Sequence, residues 1–246
     1  MAAEGNYFIG TSGFSYSHWQ GVFYPDELPQ RLWLENYARQ FDTVEINSSF
    51  YHLPRPFTCE NWKKRVPDDF TFAVKASRFI THQKMLKEVN EPVKIFFEVI
   101  RHLEKMQGPI LFQLPPGMRK DIYLLRDFIE KLSGPFRYVF EFRNNTWYDD
   151  DLFILLNETG CGFCIHDLPD RITPWIVTGG FVYIRFHGAR QAYCSLYGDD
   201  ELEKFSVKIA DYSKECHDVY AYFNNDINGY AVQNAKMLNN MLHKSG

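Results

Sequence analysis

Short apolar stretches alternate with longer amphipathic stretches along the whole chain. The short stretches are rich in Val, Ile, Phe and Tyr, which favour β-strands. They predict eight strands, at Tyr7–Thr11, Thr43–Asn47, Thr71–Lys75, Ile110–Gln113, Tyr138–Arg143, Phe163–His166, Phe181–His187 and Val219–Asn224. The stretches between them have helical apolar spacing or begin with an acid suited to a helix N-terminus. They predict helices at Pro29–Arg39, Pro92–Lys105, Asp121–Leu132, Asp150–Asn157, Glu201–Lys214 and Ala231–His243.

The order of these elements predicts an α/β fold. Strands that alternate with helices form parallel sheets, because parallel strands need crossover connections. Eight such strands in 246 residues favour a (β/α)8 TIM-type barrel over an open sheet. We expect a single domain over residues 1–246. The crossover after the sixth strand should be irregular, because residues 168–180 contain two prolines and little helical pattern.

Composition and charge narrow the classes of function. The chain is 45% hydrophobic and 24% charged, as expected of a soluble globular protein. No apolar run approaches the roughly 18 residues of a membrane span, and the N-terminus does not resemble a secretory signal. We therefore expect a cytoplasmic protein without a membrane partner. A net charge of −4 and a pI near 6.1 give no sign of the basic footprint typical of nucleic-acid binding.

Side-chain alternation within the predicted strands indicates where chemistry takes place. Successive strand residues point to opposite faces, so Glu45 lies opposite Val44 and Ile46. The same alternation puts charged residues on the inner face of three other strands, near their C-terminal ends. They are Lys75, Glu141, Arg143, Arg185 and His187. Because charges are costly to bury and TIM-barrel active sites lie at this end of the strands, we expect these residues to converge in one polar pocket.

Several segments resemble the signatures of a known family. They are Gly10–Pro25, Val44–Pro54, Phe72–His82, Leu111–Pro116, Phe140–Arg143, Arg185–Gly188 and Tyr222–Asp226, with Asn234 and Ala235. These segments are similar to those of the YecE-like family, a widespread domain of unknown function. The resemblance covers almost the whole chain and implies a TIM-type barrel, but it implies no reaction. The chain departs from the family pattern at Phe14, Asn144 and Met85, where Trp, His and a basic residue are more usual.

The charged residues divide into two candidate roles. Two carboxylates in different environments can act as general acid and general base, which suggests Glu45 and Glu141, with His187 as a further proton carrier. Arginine and lysine can hold a phosphate or carboxylate, which suggests Arg143 and Arg185 as an anion clamp, with Arg78 and His82 on the loop after the third strand. Lys75 joins the clamp or acts as a catalytic amine. The alternative is that each carboxylate is the salt-bridge partner of one of these cations.

Other residues of the same loops are candidates for substrate binding. Aromatic rings could stack on a sugar or a base, and hydroxyl, amide and carboxyl groups could hold its polar edges. The full set of expected binding residues is Arg143, Arg185, Asn47, Gln113, Ser12, Tyr16, Trp19, Tyr51, Asn225 and Asp226. Phe23, Tyr24, Phe50 and Trp147 could complete the aromatic ring, although such rings also serve to pack loops together.

Metal and redox chemistry are less favoured. His166, Asp167, His187, Glu45, Glu141 and Asp226 are all possible ligands, but they lack a local ligand motif, and nearby Arg and Lys disfavour a cation. A divalent metal is therefore the weaker alternative to a site without a cofactor. Cys161 and Cys164 form a C-x-x-C that opens no helix, which favours buried apolar cysteines.

These features predict an enzyme that binds a small polar or anionic ligand. The expected chemistry is acid/base hydrolysis or isomerisation of a phosphorylated or sugar-like compound. One alternative is a protein that binds nucleic acid or cleaves phosphodiesters, with salt-dependent affinity. The other is a non-catalytic ligand-binding module, which a ligand would stabilise without turnover.

Overall fold

The computed structural model describes residues 5–168, 171–188, 190–215 and 217–244. Its strands are β1 (Tyr7–Thr11), β2 (Thr43–Ile46), β3 (Thr71–Lys75), β4 (Gln107–Gln113), β5 (Tyr138–Glu141), β6 (Gly162–Leu168), β7 (Arg171–Ile172), β8 (Phe181–Phe186) and β9 (Asp218–Phe223). Its helices are α1 (Trp33–Tyr37), α2 (Ser48–Tyr51), α3 (Pro56–Lys63), α4 (Asn90–Ile100), α5 (Ile122–Ile129), α6 (Asp150–Glu158), α7 (Asp199–Lys214) and α8 (Tyr230–Lys244).

Eight of these strands follow the order β1-β9-β8-β6-β5-β4-β3-β2, and β7 pairs with β6 beside this path. The pairings β1–β9, β3–β4, β4–β5, β5–β6 and β8–β9 are all parallel. A parallel bridge between Ser12 and Glu45 links the segment after β1 to β2, the two ends of this order. The strand count, order and intervening helices confirm the predicted (β/α)8 TIM-type fold.

The chain forms two compact units. The first comprises Met1–Glu45, Ile165–Trp175 and Phe181–Gly246, and the second comprises Ile46–Cys164 and Ile176–Gly180. Accordingly, β6 contributes its last four residues to the first unit and its first three to the second. The prediction of one domain over residues 1–246 stays a prediction.

The first unit is built on β1, β9 and β8, with α7 and α8 packed against them. Val219 of β9 lies in register with Tyr7 of β1 and Val182 of β8. Its core includes fully buried apolar side chains from strands and helices, such as Ile184, Ala221, Ile209 and Leu238. The strands are therefore covered on the face that carries Ile184, as the alternation pattern requires.

The second unit is built on β3, β4, β5 and the start of β6. Phe112 of β4 lies in register with Phe140 of β5. Both rings contact Phe128 of α5 edge to face, at centroid distances of 5.1 Å and 6.1 Å. All three rings are fully buried. Because these apolar residues occupy one face of β4 and β5, Leu111, Gln113 and Glu141 occupy the other.

Most predicted elements are present, with shifted ends. The predicted helix Pro29–Arg39 is a 3-10 turn at Gln30–Leu32 followed by α1. The predicted helix Pro92–Lys105 tightens into 3-10 geometry after Ile100 and contains Glu104 at a φ of 53°, so β4 begins before Ile110. The described part of the crossover, residues 171–180, contains β7 and no helix, which confirms the predicted irregularity.

Two general expectations can be compared with the described ranges. Within them, no helix is both long and apolar enough to span a membrane. Cys59, Cys161, Cys164 and Cys194 form no disulfide, and Cys216 lies outside the described residues.

Candidate functional site

A buried ion pair lies in the first unit at the ends of β2 and β8. Nε and Nη2 of Arg185 donate to Oε1 of Glu45, at 3.2 Å and 2.9 Å. The hydroxyl of Tyr183 donates to Oε2 of the same carboxylate at 2.6 Å. Glu45, Tyr183 and Arg185 are all fully buried. We call these three residues the Glu45 cluster.

The strand pattern explains why the Glu45 cluster forms. Tyr183 and Arg185 are two residues apart on β8, so their side chains leave the same face. The backbone N–H of Gly13 donates to the carbonyl of Glu45 at 2.8 Å, which fixes the end of β2 against the segment after β1. Both carboxylate oxygens of Glu45 accept hydrogen bonds, as a buried charge requires. This is the geometry of the salt-bridge alternative, and proton transfer by Glu45 stays a prediction.

A second polar group in the first unit follows β9. His18 Nε2 lies 2.9 Å from the carbonyl oxygen of Asp226 and 3.3 Å from its Oδ2. Burial raises the pKa of the Asp226 carboxyl, against a smaller lowering by its hydrogen bond and by His18. The Tyr16 hydroxyl donates to the carbonyl of Ser12 at 2.6 Å. Burial, and then the charges of Asp226 and Glu45, raise the pKa of Tyr16, so this phenol stays protonated.

His187 and Asn225 lie deeper in the same unit. His187 is fully buried, and its Nδ1 lies 3.2 Å from the side-chain nitrogen of Asn224. The side-chain amide of Asn225 donates to the Ser195 carbonyl at 2.8 Å and to Oδ1 of Asn234 at 3.0 Å. Asn225 therefore joins the loop before α7 to helix α8. The involvement of either residue in a reaction stays a prediction.

The predicted aromatic ring divides into packed and exposed members. Trp19 and Trp147 are fully buried, and their indole N–H groups donate to the carbonyls of Asp226 and Met118, each at 2.8 Å. The Tyr24 hydroxyl donates to the Phe14 carbonyl at 2.5 Å. These three side chains pack loops, as the structural alternative anticipated. Tyr51 is 63% exposed and is available to solvent.

The second unit holds a cluster rich in positive charge at the ends of β3 and β5. It consists of Lys75, Arg78, His82, Glu141 and Arg143, which we call the Lys75 cluster. Lys75 and Arg143 are nearly buried and Glu141 is fully buried. Nε of Arg143 donates to Oε1 of Glu141.

A loop after β3 brings the imidazole into the Lys75 cluster. A single π-helical turn, Phe79–Gln83, follows the strand, and such turns are frequent at functional sites. His82 Nδ1 lies 2.9 Å from Oγ1 of Thr81. The Phe50 ring lies edge to face with His82 at 5.0 Å, and Nζ of Lys75 lies 4.2 Å from the centre of the same ring.

Electrostatics around His82 reflect the composition of the Lys75 cluster. Burial lowers the pKa of His82, and Lys75, Arg78 and Arg143 lower it further, while Glu141 raises it. Three cations and one carboxylate thus act on this half-buried ring. The imidazole is therefore neutral at neutral pH and has a lone pair that can accept a proton.

The remaining predicted binding residues lie at or directly after the ends of strands. Gln113 ends β4 in register with Glu141 of β5. Asn47 follows β2 directly and precedes helix α2. Ser12 is buried and forms the bridge to Glu45. Each occupies the end of a strand, as predicted, but their contact with a ligand stays a prediction.

The possible metal ligands do not assemble into a ligand set. Across the described ranges, no three His, Cys, Asp or Glu side chains form a group that could hold a metal ion. Glu45 and Glu141 are bound to Arg185 and Arg143 instead. The metal-ligand arrangement raised as an alternative is therefore not seen in this part of the chain.

Sequence reasoning missed three contributors to these clusters. Tyr183 shares its strand face with Arg185, so the alternation pattern could have identified it. His18 lies between Tyr16 and Trp19 in a predicted loop, but nothing local indicates its contact with Asp226. Sγ of Cys164 lies 4.0 Å from Oε2 of Glu141, a contact between strands that only the sheet order reveals.

Comparison with known proteins identifies the family. The family model described as "Protein of unknown function DUF72" matches residues 8–246. The chain belongs to this DUF72, or YecE-like, family. UPF0759 protein YunF of Bacillus subtilis (strain 168) is 26% identical over 96% of this chain and 94% of its own length. UPF0759 protein YecE of Escherichia coli (strain K12) is 33% identical over 47% of this chain and 43% of its own length.

Solved structures of DUF72 proteins share the fold. One from Thermotoga maritima is 29% identical, with a TM-score of 0.88 over 97% of this chain and 99% of its own. One from Enterococcus faecalis is 22% identical, with a TM-score of 0.84 over 96% and 95% of the two chains. The resemblance predicted from the sequence segments is confirmed. The family has no assigned function, so the chemistry of the DUF72 site must be argued from its residues.

Proposed function

We propose that the Lys75 cluster binds the anionic group of a small phosphorylated or carboxylated ligand. The observation that carries this proposal is the excess of positive charge around a half-buried imidazole. Three cations and one carboxylate act on His82, while the whole chain has a net charge of −4. A ligand anion would balance the excess locally.

The side chains suit such a ligand. The guanidinium of Arg143 presents a planar fork, and one of its N–H groups is already bound to Glu141, which orients the rest. Lys75 supplies a compact charge held against the Phe50 ring. Arg78 is exposed, so it can move toward an entering anion. These groups differ in burial, and together they would capture an anion at the exposed Arg78 and hold it at the buried Lys75 and Arg143.

The proposed chemistry is acid/base hydrolysis or isomerisation of the bound ligand. Neutral His82 would accept a proton from a substrate hydroxyl or a water molecule. Glu141 would serve as the second proton carrier or would only hold Arg143 in place. Lys75 and Arg143 would stabilise negative charge that develops during the reaction. Whether Glu45 and His187 also transfer protons is tested separately, with an isosteric variant of each residue.

Anion binding is tested with inorganic phosphate and pyrophosphate at constant ionic strength. We expect both probes to raise the melting temperature of the wild type, because a ligand that binds only the folded state stabilises it. Arg78→Ala and Lys75→Met should reduce that shift. Arg101→Ala and Lys94→Met are matched controls, because both positions are exposed on or beside helix α4. Equal shifts in variants and controls would count against the proposal.

Catalysis needs a separate readout. A panel of sugar phosphates can be followed by phosphorus and proton NMR with wild type, Glu141→Gln and His82→Gln. We expect turnover in the wild type, with loss in the two variants while the phosphate-induced thermal shift persists. Phosphate binding without any turnover across the panel would instead favour the non-catalytic ligand-binding alternative.

A further inference from the structure

The irregular crossover leaves part of the first unit without a covering helix. Ile184 and Phe186 of β8 lie on the face opposite to Arg185, and the described residues 171–180 that precede β8 form no helix. Aromatic rings cover this face instead. Phe205 of α7 packs on Phe186 at 4.9 Å, and Trp175 stacks on Phe205 at 5.8 Å. Ile184 and Phe186 are fully buried, but the rings that cover them do not fill all the space between them.

A cavity of about 220 Å³ lies under these rings. Its walls are mostly apolar and include Ile165, Ile184, Phe186, Phe205 and Trp175. The polar residues of the lining are His166, Asp167 and Lys208. An apolar protein cavity of about 150 Å³ can hold benzene. The space here therefore suits one aromatic ring with a short side chain. It lies on the opposite strand face from the Glu45 cluster.

One end of the cavity carries negative charge. Asp167 lines it and is half-buried, and one carboxylate oxygen, Oδ2, accepts a hydrogen bond from Tyr197 at 3.0 Å. Burial is the main cause that raises the pKa of Asp167, and the carboxylate of Glu201 raises it further. The Glu201 carboxylate thus has the same sign of charge as Asp167. A cation beside Asp167 would offset both the cost of burying its charge and the repulsion from Glu201.

The cationic group of the cavity lies at a different place. Lys208 also lines it, and its Nζ lies 4.5 Å from the centre of the Trp175 ring. Lys208 is not among the charges that act on Asp167. The cavity therefore has two distinct regions. One contains the Asp167 carboxylate, and the other contains the Trp175 ring, which the ammonium group of Lys208 already covers.

We propose that this cavity binds a small arylalkylamine, with the ammonium group at Asp167 and the ring between the apolar walls. An ammonium–carboxylate hydrogen bond is charge-assisted and is stronger than a neutral one. The aromatic walls add area burial and favourable ring contacts. An anionic ligand would be repelled by the Asp167 carboxylate, which lines the cavity. This proposal does not depend on the Lys75 cluster or on its function.

The test uses three probes of similar shape: 2-phenylethylamine, 2-phenylethanol and 3-phenylpropionate. Calorimetric titration of the full chain near pH 7, where the amine is protonated, should show the amine binding about tenfold more tightly than the alcohol. Asp167→Asn should bring the amine to the affinity of the alcohol, because the amide can still accept from Tyr197 but carries no charge. Asp211→Asn, which removes an exposed acid of the same helix as Lys208, should leave the preference unchanged.

Location is checked by a measurement that needs no variant. Intermolecular NOEs should connect the amine's ring protons to the indole protons of Trp175. Equal binding of the amine and the alcohol would overturn the proposal. So would NOEs that exclude Trp175, no detectable binding of the amine, or tighter binding of the propionate that Lys208→Met abolishes.

Discussion

At the scale of single residues, the main physical constraint is the free-energy cost of burying charged side chains. Glu45 and Arg185 have no exposed surface, and an unpaired charge in that position would be very costly. Three hydrogen bonds to the Glu45 carboxylate offset this cost. The pair therefore joins the ends of β2 and β8, whatever part it plays in a reaction.

The contribution of the Tyr183 hydroxyl can be measured directly. Tyr183→Phe removes the donor to Oε2 of Glu45 and leaves the ring in place. We expect the free energy of unfolding to fall by about 1–3 kcal/mol, because a buried charged acceptor loses one partner. Urea denaturation measures the change.

Tyr123→Phe is the matched control for this substitution. Tyr123 is 80% exposed, so the same chemical change should alter stability by less than about 0.5 kcal/mol. Equal effects of the two variants would mean that the Glu45 carboxylate does not depend on Tyr183.

Asp167 gives the protein a pH-dependent stability of known sign. Burial raises the pKa of its folded-state carboxyl above the unfolded value. The stability that the protonated Asp167 carboxyl contributes is therefore fully present below the pKa of the unfolded state. It is lost as pH rises through the pKa of the folded state. Asp167→Asn removes this titration. We expect the unfolding free energy of the variant, minus that of the wild type, to increase as pH rises above the ordinary carboxyl pKa and to level off once pH exceeds the raised pKa of the folded state.

The control for the pH series is Asp127→Asn. Asp127 is exposed on α5, so its variant should show a far smaller dependence of this difference on pH. Denaturant melts of all three proteins at each pH supply the measurement. A difference for Asp167→Asn that stays flat, or decreases as pH rises, would contradict the prediction.

At the scale of elements, the pattern of apolar positions predicted where strands lie better than where helices begin. The strands β1 and β3 have the predicted ends, and β8 is one residue shorter than predicted. Helix α3 was missed because it presents no apolar stripe: Cys59 is its only buried residue, and Phe57 is 66% exposed. The π-helical turn at Phe79–Gln83 was missed because its backbone geometry has no periodic signature in so short a segment.

Close approach of the segments around β1 and β2 depends on one glycine. A Cβ on Gly10 would overlap the carbonyl oxygen of Thr43, and backbone there cannot move without disturbing β2. Gly10→Ala should therefore reduce the unfolding free energy by about 1–3 kcal/mol or more. Thermal and urea unfolding followed by circular dichroism measure the loss.

Gly117→Ala separates this steric effect from the general effect of replacing glycine. A Cβ on Gly117 would meet no atom of the described chain within 4 Å. The stability of this variant should stay within about 0.5 kcal/mol of the wild type or rise slightly, because the unfolded chain loses freedom. A comparable loss in both variants would rule out the steric explanation for Gly10.

At the scale of the whole molecule, the sequence predicted the fold class and the strand ends that carry charge. Each predicted proton carrier and cation lies at or beside a strand end, because alternation and parallel pairing dictate that placement. The partners could not be predicted. Whether Glu45 is bound by Arg185 or Glu141 by Arg143 depends on register and rotamer, which are set by contacts far apart in the chain.

The last prediction concerns DNA binding and follows from the net charge of the protein. The chain carries 31 acidic residues against 27 lysines and arginines, so its overall field repels a polyanion even though the Lys75 cluster is locally positive. We expect no binding of a random-sequence duplex DNA at about 150 mM NaCl, measured by fluorescence anisotropy, under conditions where pyrophosphate still raises the melting temperature.

Salt dependence distinguishes the two kinds of anion binding. A single small anion contacts few cations, so its affinity should fall gently with salt, whereas a nucleic acid held at many phosphates loses affinity steeply. Anisotropy titrations at low salt with wild type, Lys75→Met and Lys94→Met make the comparison. Tight DNA binding with a steep salt slope, lost in Lys75→Met and kept in Lys94→Met, would replace the small-ligand proposal with the nucleic-acid alternative.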